Sequence, residues 1–415
     1  MAIIKPFQAF RPQQDKAEKI ASRPYDVLNS QEAREEAKGN ELSFLRINKP
    51  EIDLKEGIDT YSKEVYQQGK KNLDEFIEKE WLIQDDKPCY YIYEQQMGKH
   101  IQKGLVCTSS IDDYFDDVIK KHEYTRPKKE NDRIEHMATL SAHIGPVFLT
   151  YKPVKELDGI IENWANNNDA IYDFESEDKI GHRVWKIDDK TTIDQITAIF
   201  DTQINKTYVA DGHHRSAASA KVGQRLREQN PNYTGNESFN YFLSVLFPAD
   251  QLQIIDYNRV IKDMLPDIST EEFLTALLTN FSLTAITEPV RPSINGEFGL
   301  YIDKQWYKLS ADQLIMQNDD AVESLDISIL SRYVIDPLLG ISDQRTDERI
   351  DFVGGIRGVE ELARRVDSGE MCMAFAIHPV TIEQLIAVAD SGNVMPPKST
   401  WFEPKLRSGL FVHKF

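Results

Sequence analysis

Five consecutive residues, Asp211 to Arg215, combine the backbone flexibility and the side chains that an anion-binding turn needs. Gly212 lets the backbone bend sharply and approach a ligand closely. His213, His214 and Arg215 add hydrogen-bond donors, and the planar guanidinium of Arg215 suits phosphate oxygens. The segment therefore predicts a phosphate site at Gly212, His213, His214 and Arg215, with Asp211 placed to cap the helix that follows.

The elements on either side of this turn must position it. Lys206 to Ala210 has the pattern of a short buried strand, and His213 to Glu228 that of a helix. A helix begins with unpaired N–H groups and the positive end of its dipole, so this start is a suitable place for an anion. Two other interpretations stay open: metal binding by the paired histidines, and a capped helix with no ligand. No HExxH or HxH motif supports the metal.

The rest of the chain alternates helical and strand-like patterns, which indicates an α+β (mixed α/β) fold. Asp53 to Trp81 predicts a long amphipathic helix, and Cys89 to Gln95 with Ile101 to Ser109 predict a hairpin. Pro266 interrupts the pattern. We therefore expect an N-terminal α+β domain over residues 1–265, and a C-terminal α+β domain over residues 266–415 whose tail packs back on the body.

A basic island runs from Lys120 to Arg133, with six Lys or Arg residues against three Asp or Glu residues. Such an island attracts an anion of the size of a triphosphate. Glu123 stands among these cations and should stay ionised, so it could accept a proton or hold Mg²⁺. The alternative is an ordinary solvated loop that leads into a helix.

Asp26 follows Pro24, which makes the backbone before it rigid. A carboxylate on a rigid loop is a reasonable general base for a substrate hydroxyl. The alternative is that Asp26 caps the helix that begins near Gln31. Asn29 or Ser30 would cap that helix better, which would leave Asp26 free.

The C-terminal tail contains a polar cluster after two prolines: Lys398, Ser399, Thr400 and Lys405. Lys398 would act as a point charge beside a phosphate. The alternative is a terminal strand with ordinary surface lysines.

The net charge of −19 and the pI near 5.0 argue against a large nucleic-acid footprint. No apolar run approaches the roughly 20 residues of a membrane span, and the N-terminus lacks the pattern of a signal peptide. We therefore expect a cytoplasmic protein without membrane partners. The three cysteines stand far apart and predict neither a zinc site nor a disulfide framework.

Several motifs together resemble the family called domain of unknown function 1015. They are Arg23-Pro24-Tyr25-Asp26-Val27, Asn40 to Arg46, His122-Glu123-Tyr124-Thr125 with Arg133, Asp211 to Arg215, and Met395 to Thr400 with Pro404-Lys405. Two positions depart from the family pattern: Arg23, where a proline is frequent, and Ser216, where an aromatic residue is frequent. Through its central turn this family is similar to the ParB, sulfiredoxin and free-serine-kinase superfamily.

That resemblance implies a ParB/sulfiredoxin-like nucleotide-binding core with large helical and β additions. It also implies that His122, Thr125, Arg126, Arg133, Lys398, Ser399 and Thr400 join the turn in binding nucleotide phosphates. Asp26, Glu123 and His214 are then the candidate catalytic residues, and ATP or ADP with Mg²⁺ the expected cofactors.

The leading hypothesis is a phosphotransferase, or kinase, that acts on a small hydroxyl-bearing metabolite. By superfamily resemblance alone, free serine is the first acceptor to test. A ParB-like regulatory or DNA-partitioning protein is the second hypothesis, although the acidic charge and the lack of a basic recognition helix oppose it. A phosphatase or nucleotidase that uses the same anion site is the third, and a metal-dependent nuclease ranks last.

Overall fold

The computed structural model describes residues 1–415. They form two compact units, one of Met1–Leu252 with Pro404–Phe415 and one of Gln253–Glu403. The boundary predicted at residue 265 differs from this division, because residues 257–261 form a strand that pairs inside the second unit. The tail is divided as well, since only its last twelve residues belong to the first unit.

The first unit is built on a mixed nine-stranded sheet with the strand order β6-β11-β8-β12-β5-β4-β10-β9, and β1 also pairs with β5. Two short antiparallel pairs, β2 with β3 and β7 with β21, lie outside this sheet. The strands are β1 (Ile4–Lys5), β2 (Phe10–Pro12), β3 (Leu82–Gln84), β4 (Tyr90–Met97), β5 (His100–Ser110), β6 (Ile119–Lys120), β7 (Ala142–His143), β8 (Val147–Tyr151), β9 (Tyr172–Glu175), β10 (Ile180–Ile187), β11 (Thr207–Asp211), β12 (Tyr241–Pro248) and β21 (His413–Lys414).

Nine α-helices belong to this unit. They are α1 (Ala17–Ile20), α2 (Ser30–Glu36), α3 (Leu45–Asn48), α4 (Lys63–Glu78), α5 (Ile111–Phe115), α6 (Pro127–Leu140), α7 (Lys155–Asn167), α8 (Lys190–Gln203) and α9 (His213–Gln229). A 3-10 turn at Pro50–Asp53 connects α3 to the loop before α4. None of the helices in the chain combines the length with the apolar character that crossing a bilayer requires.

The central strands are buried on both faces, and this explains their composition. Tyr90, Tyr91, Ile92 and Tyr93 are all fully buried in β4. A strand in the middle of a sheet that is covered on both sides reads as a continuous apolar or aromatic run. On α9, the small residues from Ser216 to Ala220 are buried as well, so this helix packs closely against the neighbouring elements.

The second unit has a six-stranded antiparallel sheet with the order β15-β17-β16-β19-β14-β18, and a separate pair of β13 with β20. Its strands are β13 (Gln253–Ile255), β14 (Tyr257–Ile261), β15 (Phe281–Ile286), β16 (Glu297–Ile302), β17 (Gln305–Ala311), β18 (Ile350–Gly354), β19 (Met373–Ile377) and β20 (Trp401–Glu403). Its helices are α10 (Thr270–Leu277), α11 (Gln313–Met316), α12 (Asp326–Leu330), α13 (Asp336–Leu339), α14 (Glu360–Asp367) and α15 (Ile382–Asp390).

The predicted mixed fold is confirmed, and so are the β4–β5 hairpin and the sequence β11, turn, α9. The helix predicted over Asp53 to Trp81 is too long. In the structure, α4 begins only at Lys63, because Asp59 turns the chain by accepting from the N–H of Tyr61 and Ser62 starts the helix. Apolar spacing alone did not show this interruption.

The close packing of α9 leads to a stability prediction with a matched control. A Cβ on Gly223 would lie 2.6 Å from Ile111 Cδ1 and even closer to the carbonyl oxygen of Phe239. Gly159, in the middle of α7, has open space around the same position. We expect Gly223→Ala to lower the free energy of unfolding by about 1–3 kcal/mol through overpacking. Gly159→Ala should raise it by about 0.5–1 kcal/mol through helix propensity. Urea unfolding of both variants checks this, and shifts of the same sign would contradict it.

Candidate functional site

The turn between β11 and α9 depends on the left-handed conformation of Gly212, with φ of 92° and ψ of 34°. Gly212 itself occupies the N-cap position, and no side chain caps α9. The prediction that Asp211 caps the helix is therefore wrong, because a glycine in the left-handed region stands between Asp211 and the first helical residue. The N–H groups at the start of α9 are consequently left for another acceptor.

Asp211 instead stabilises the turn through the contacts of its carboxylate. Its Oδ1 accepts from the N–H of Gly212 at 2.9 Å, and its Oδ2 lies 3.3 Å from Lys405 Nζ and 3.7 Å from Arg215 Nη2. Burial alone would raise the pKa of Asp211, but the charges of Lys405 and Arg215 outweigh it and lower the pKa to about 2. The carboxylate is therefore ionised and joins the strand end, the helix start and the C-terminal segment.

Arg215 lies inside the fold rather than at its surface. Only 5% of the residue is exposed, and Nη1 donates to the carbonyl oxygen of Pro146 at 2.6 Å. The guanidinium also packs against Gly212 and Gly145. The Nε–H of Arg215 has no hydrogen-bond partner, and Arg215 lines a small cavity, so the predicted phosphate contact through this guanidinium stays a prediction.

The two histidines of the turn hold the segment His122–Arg126 over the start of α9. His213 Nε2 accepts from the N–H of His122 at 3.4 Å, and the two rings meet edge to face with centroids 4.4 Å apart. His214 Nε2 accepts from the N–H of Arg126 at 3.0 Å. Since Nε2 is the acceptor in both rings, Nδ1 carries the proton in the neutral form.

Burial keeps these imidazoles uncharged near neutral pH. It lowers the pKa of His213 to about 4 and that of His122 to about 3, and it also lowers the pKa of His214. Asp211 acts against this shift at His213, as Glu123 does at His214, but neither carboxylate reverses it. The turn therefore offers neutral N–H donors rather than imidazolium charges.

The other predicted residues of this segment have different positions. Thr125 donates its hydroxyl to Glu130 Oε2 at 2.6 Å, and Glu130 also pairs with Lys221 of α9. Arg126 is exposed at the start of α6. Glu123 is partly exposed, and its Oε2 lies 3.7 Å from His213 Nδ1. Among the charged residues of this segment, Glu123 and Arg126 are thus accessible to a ligand.

Asp26 lies on the loop before α2 and is exposed. Asn29 caps α2 in a capping box with Glu32, so the prediction that Asp26 is not needed as a cap is confirmed. The charges of Glu123 and Asp26 both act on the pKa of His214 and raise it against the effect of burial. The contact of His214 with the N–H of Arg126 joins segments that are 88 positions apart in the sequence.

Arg133, on α6, stacks its guanidinium 4.1 Å above the ring of Tyr25 and pairs with Asp132. Both Tyr25 and Arg133 line a cavity of about 290 Å³ and, next to it, a smaller one of about 20 Å³ that Arg215 also lines. We call the larger one the polar cavity. It lies between the Tyr25–Ser30 loop, the Asn48–Glu51 segment, the Thr60–Tyr66 segment and α6.

Lys398, Ser399 and Thr400 belong to the second unit. Buried Arg259 donates to the carbonyl oxygens of Lys398 at 2.9 Å and Pro397 at 2.8 Å, and Ser399 donates its hydroxyl to the carbonyl oxygen of Pro396 at 2.6 Å. Lys398 has a left-handed backbone with φ of 58°. These contacts fix the shape of the segment, and its participation in the site stays a prediction.

Sequence reasoning missed several residues around the site. The sequence places Lys405 in the polar tail and in the motif Pro404-Lys405, but it does not indicate that Lys405 neutralises Asp211 across 194 positions of sequence. Asn48 and His136, which line both cavities, were not singled out at all. Their positions follow from how α3, α4 and α6 pack, and a single sequence carries no signal for this.

The side chains at this site could not complete the coordination of a metal ion without oxygen atoms from a bound ligand. No group of three or more His, Cys, Asp or Glu side chains is arranged to hold one. Mg²⁺, however, is commonly bound through one or two carboxylates and completed by substrate phosphates and water. The partly exposed Glu123 and the exposed Asp26 fit that limited donor set.

Comparisons with known proteins identify the family and a distant likeness in fold. The family model described as a protein of unknown function, DUF1015, matches residues 4–328. A free serine kinase in complex with AMP has 14% identity and a TM-score of 0.36, over 74% of this chain and 91% of that chain. A conserved hypothetical protein from Pyrococcus furiosus has 14% identity and a TM-score of 0.35, over 74% and 94%. C-terminally truncated SbnI from Staphylococcus aureus has 10% identity and a TM-score of 0.39, over 74% and 86%. No curated protein matches the sequence.

The neutral state of His213 gives a pH prediction. The unfolded chain protonates histidine near pH 6.5, whereas folding lowers the pKa of His213 to about 4. Stability from this residue is therefore complete above pH 6.5 and is lost as the pH falls toward 4. Between about pH 7.5 and pH 5, the wild type should lose about 2 kcal/mol more unfolding free energy than His213→Gln.

Urea unfolding at the two pH values measures this difference. The buried histidines that His213 does not contact are present in both proteins, so their contributions cancel in the comparison. His122 is affected in the same sense as His213, because His213 also lowers the pKa of His122. Equal losses in the two proteins would show that His213 is not held neutral by the fold.

Proposed function

This chain belongs to the family of proteins of unknown function called DUF1015, and we propose that it is a nucleotide-dependent phosphotransferase acting on a small hydroxyl-bearing metabolite. In this proposal the nucleotide phosphates bind at the start of α9, and the acceptor hydroxyl lies beside Asp26. A single observation carries the proposal: the 17-residue helix α9 begins without a side-chain cap, and its first two residues are the neutral histidines His213 and His214.

The physical argument for phosphate binding has two parts. An uncapped helix start presents several N–H groups and a positive dipole to an anion. The Nδ1–H group of His214 adds a side-chain donor, because Nε2 of this ring is occupied by the N–H of Arg126. Nδ1 of His213 faces Glu123 Oε2 at 3.7 Å, so His213 contributes mainly by holding His122 and Glu123 near the helix start. Arg126, exposed next to His214, supplies a positive charge. Arg215 contributes indirectly, since it fixes the turn through Pro146 and Asp211.

Asp26 is the group that we assign as general base. It is exposed, it does not cap α2, and it is close enough to His214 to affect the pKa of that ring. It would accept the proton of the attacking hydroxyl, while Glu123 orients His213 from 3.7 Å. Catalysis would then come from positioning and from stabilisation of charge, without a covalent intermediate.

Glu123 would also be the residue that holds Mg²⁺. When bound, the ion would neutralise charge on the nucleotide phosphates. The roles of the protein residues given above do not depend on its geometry.

The proposed function predicts, first, that the protein binds a nucleotide. A ligand that binds only the folded state at 100 times its Kd should add about 2.7 kcal/mol to the apparent free energy of unfolding. ATP or ADP with Mg²⁺ should therefore raise the melting temperature of the full chain. His214→Ala should weaken nucleotide binding about tenfold or more, because it removes both the Nδ1–H donor and the tether to Arg126.

The matched control is His100→Ala, which removes a histidine at the β4–β5 turn and should leave nucleotide binding unchanged. Melting of each variant without nucleotide separates a loss of binding from a loss of folding. If neither ATP nor ADP stabilises the wild type, the proposed function is wrong.

The proposed function predicts, second, that the protein transfers a phosphoryl group. With radiolabelled ATP and a panel of hydroxyl compounds that includes serine, we expect labelled product from the wild type. Asp26→Asn should reduce the rate about 100-fold or more while nucleotide binding is retained, because general-base catalysis contributes roughly that much. Asp15→Asn, a change of an exposed aspartate that pairs with Lys16, serves as the control.

Two outcomes would contradict the assignment. Phosphate release from ATP without any acceptor, at the same rate with and without the panel, would identify a phosphatase or nucleotidase instead. Full transfer by Asp26→Asn would exclude Asp26 as the base.

A further inference from the structure

The polar cavity has the volume of a site for a small metabolite. At about 290 Å³ it stands at the lower end of the range of ligand pockets. It lies within the first unit, and Asp26, the proposed base, lines it. The acceptor would therefore occupy the polar cavity, which shares Asn48 and Arg133 with the small cavity that Arg215 lines.

Asn48 shows that the cavity is prepared for a polar ligand. Only 4% of this residue is exposed, yet its side-chain Nδ2 has no hydrogen-bond acceptor. A buried donor without a partner destabilises the fold, because its desolvation is not compensated by a hydrogen bond. Asn48 lines both the polar cavity and the small cavity next to it, so a ligand or a water in this space could accept from the amide. A ligand oxygen at this position would accept the hydrogen bond that Asn48 Nδ2 lacks.

The charges of the wall are balanced, which determines what kind of ligand fits. Three cationic side chains and three carboxylates line the cavity: Lys49, Lys129 and Arg133, and Asp26, Glu51 and Asp132. Lys49 pairs with Glu51 at 3.1 Å, and Arg133 pairs with Asp132 at 2.6 Å. Since these two pairs neutralise each other, the further charges of the wall are the exposed Asp26 and Lys129, one of each sign, and the wall as a whole has no net charge that would select an anion or a cation.

The remaining groups of the wall favour hydroxyls. Asn48 needs an acceptor, whereas the exposed carboxylate of Asp26 can accept from a donor. A hydroxyl group does both, and a carboxylate or an ammonium group does only one. Glu51 and Asp132 already accept hydroxyl hydrogen bonds, from Ser30 and Tyr66 respectively. The rings of Tyr25, Tyr61 and Tyr66 provide apolar surface for the C–H groups of such a ligand.

We propose that the polar cavity binds an uncharged polyhydroxylated compound, a sugar or polyol, with Asn48 donating to one of its hydroxyl oxygens. This inference rests on the proposed function in one respect, namely that the bound compound is the acceptor of the phosphoryl group. The binding itself can be tested without nucleotide.

The experiment is calorimetric titration of the full-length protein with myo-inositol, ribitol, D-ribose, D-glucose and glycerol, and with L-serine and citrate as charged counterparts. We expect saturable binding of at least one polyol or sugar and none of the charged compounds. Asn48→Leu should weaken that binding about tenfold or more. It should also keep or raise the melting temperature, because it replaces an unpartnered amide by an apolar group of similar size.

Asn240→Leu is the matched control. Asn240 is equally buried, but it accepts from Arg227 and donates to Glu237. This variant should lower the melting temperature and leave polyol affinity unchanged. A merely structural role of Asn48 would instead make the two variants behave alike.

The outcomes distinguish this inference from the proposed function. If nucleotide binds but no polyol or sugar does, the inference is wrong and the nucleotide proposal stands. If a polyol binds in an Asn48-dependent manner but no nucleotide does, the cavity assignment holds and the phosphotransferase is wrong. Binding of serine or citrate in an Asn48-dependent manner would overturn the assignment of an uncharged ligand.

Discussion

The ion cluster beneath the turn is the interaction on which the site depends. Asp211 is ionised because Lys405 and Arg215 lie close to it, and its carboxylate accepts from Gly212 in turn. These contacts hold together the end of β11, the start of α9 and the C-terminal segment. Without them the left-handed backbone of Gly212 would have fewer constraints, and the first N–H groups of α9 would not be presented in one fixed direction.

A second consequence of burial concerns the histidines. Each Nε2 is used to hold the segment His122–Arg126, so each ring is restricted to the tautomer with Nδ1–H. Because the pKa values of His213 and His214 are lowered, these donors keep their form around neutral pH. The same buried position that makes the rings poor proton acceptors makes them suitable as fixed hydrogen-bond donors.

Features of the site that depend on residues close together in the sequence could be predicted, whereas features that depend on residues far apart in the sequence could not. The turn, the start of α9 and the cap at Asn29 depend on neighbouring residues, and the pattern indicates them correctly. The inward position of Arg215 depends on Pro146, 69 positions earlier, and the sequence predicts a surface role instead. Asn48 and His136 come together only through the packing of three helices, so no local pattern could indicate the polar cavity.

The acidic charge of the chain and the proposed anion site are compatible because they act over different distances. With a net charge of −19, the long-range field repels an anionic nucleotide, and salt screens that field beyond roughly 8–10 Å. Helix N–H groups and neutral imidazoles act within hydrogen-bond distance, where screening by salt is small. Binding at α9 should therefore fall less steeply as ionic strength rises than binding at a site held by several surface lysines, because Arg126 is the exposed cation of the proposed site. This dependence follows from neutral donors on an acidic protein, and it separates the site proposed at α9 from the basic island considered as a simple electrostatic patch.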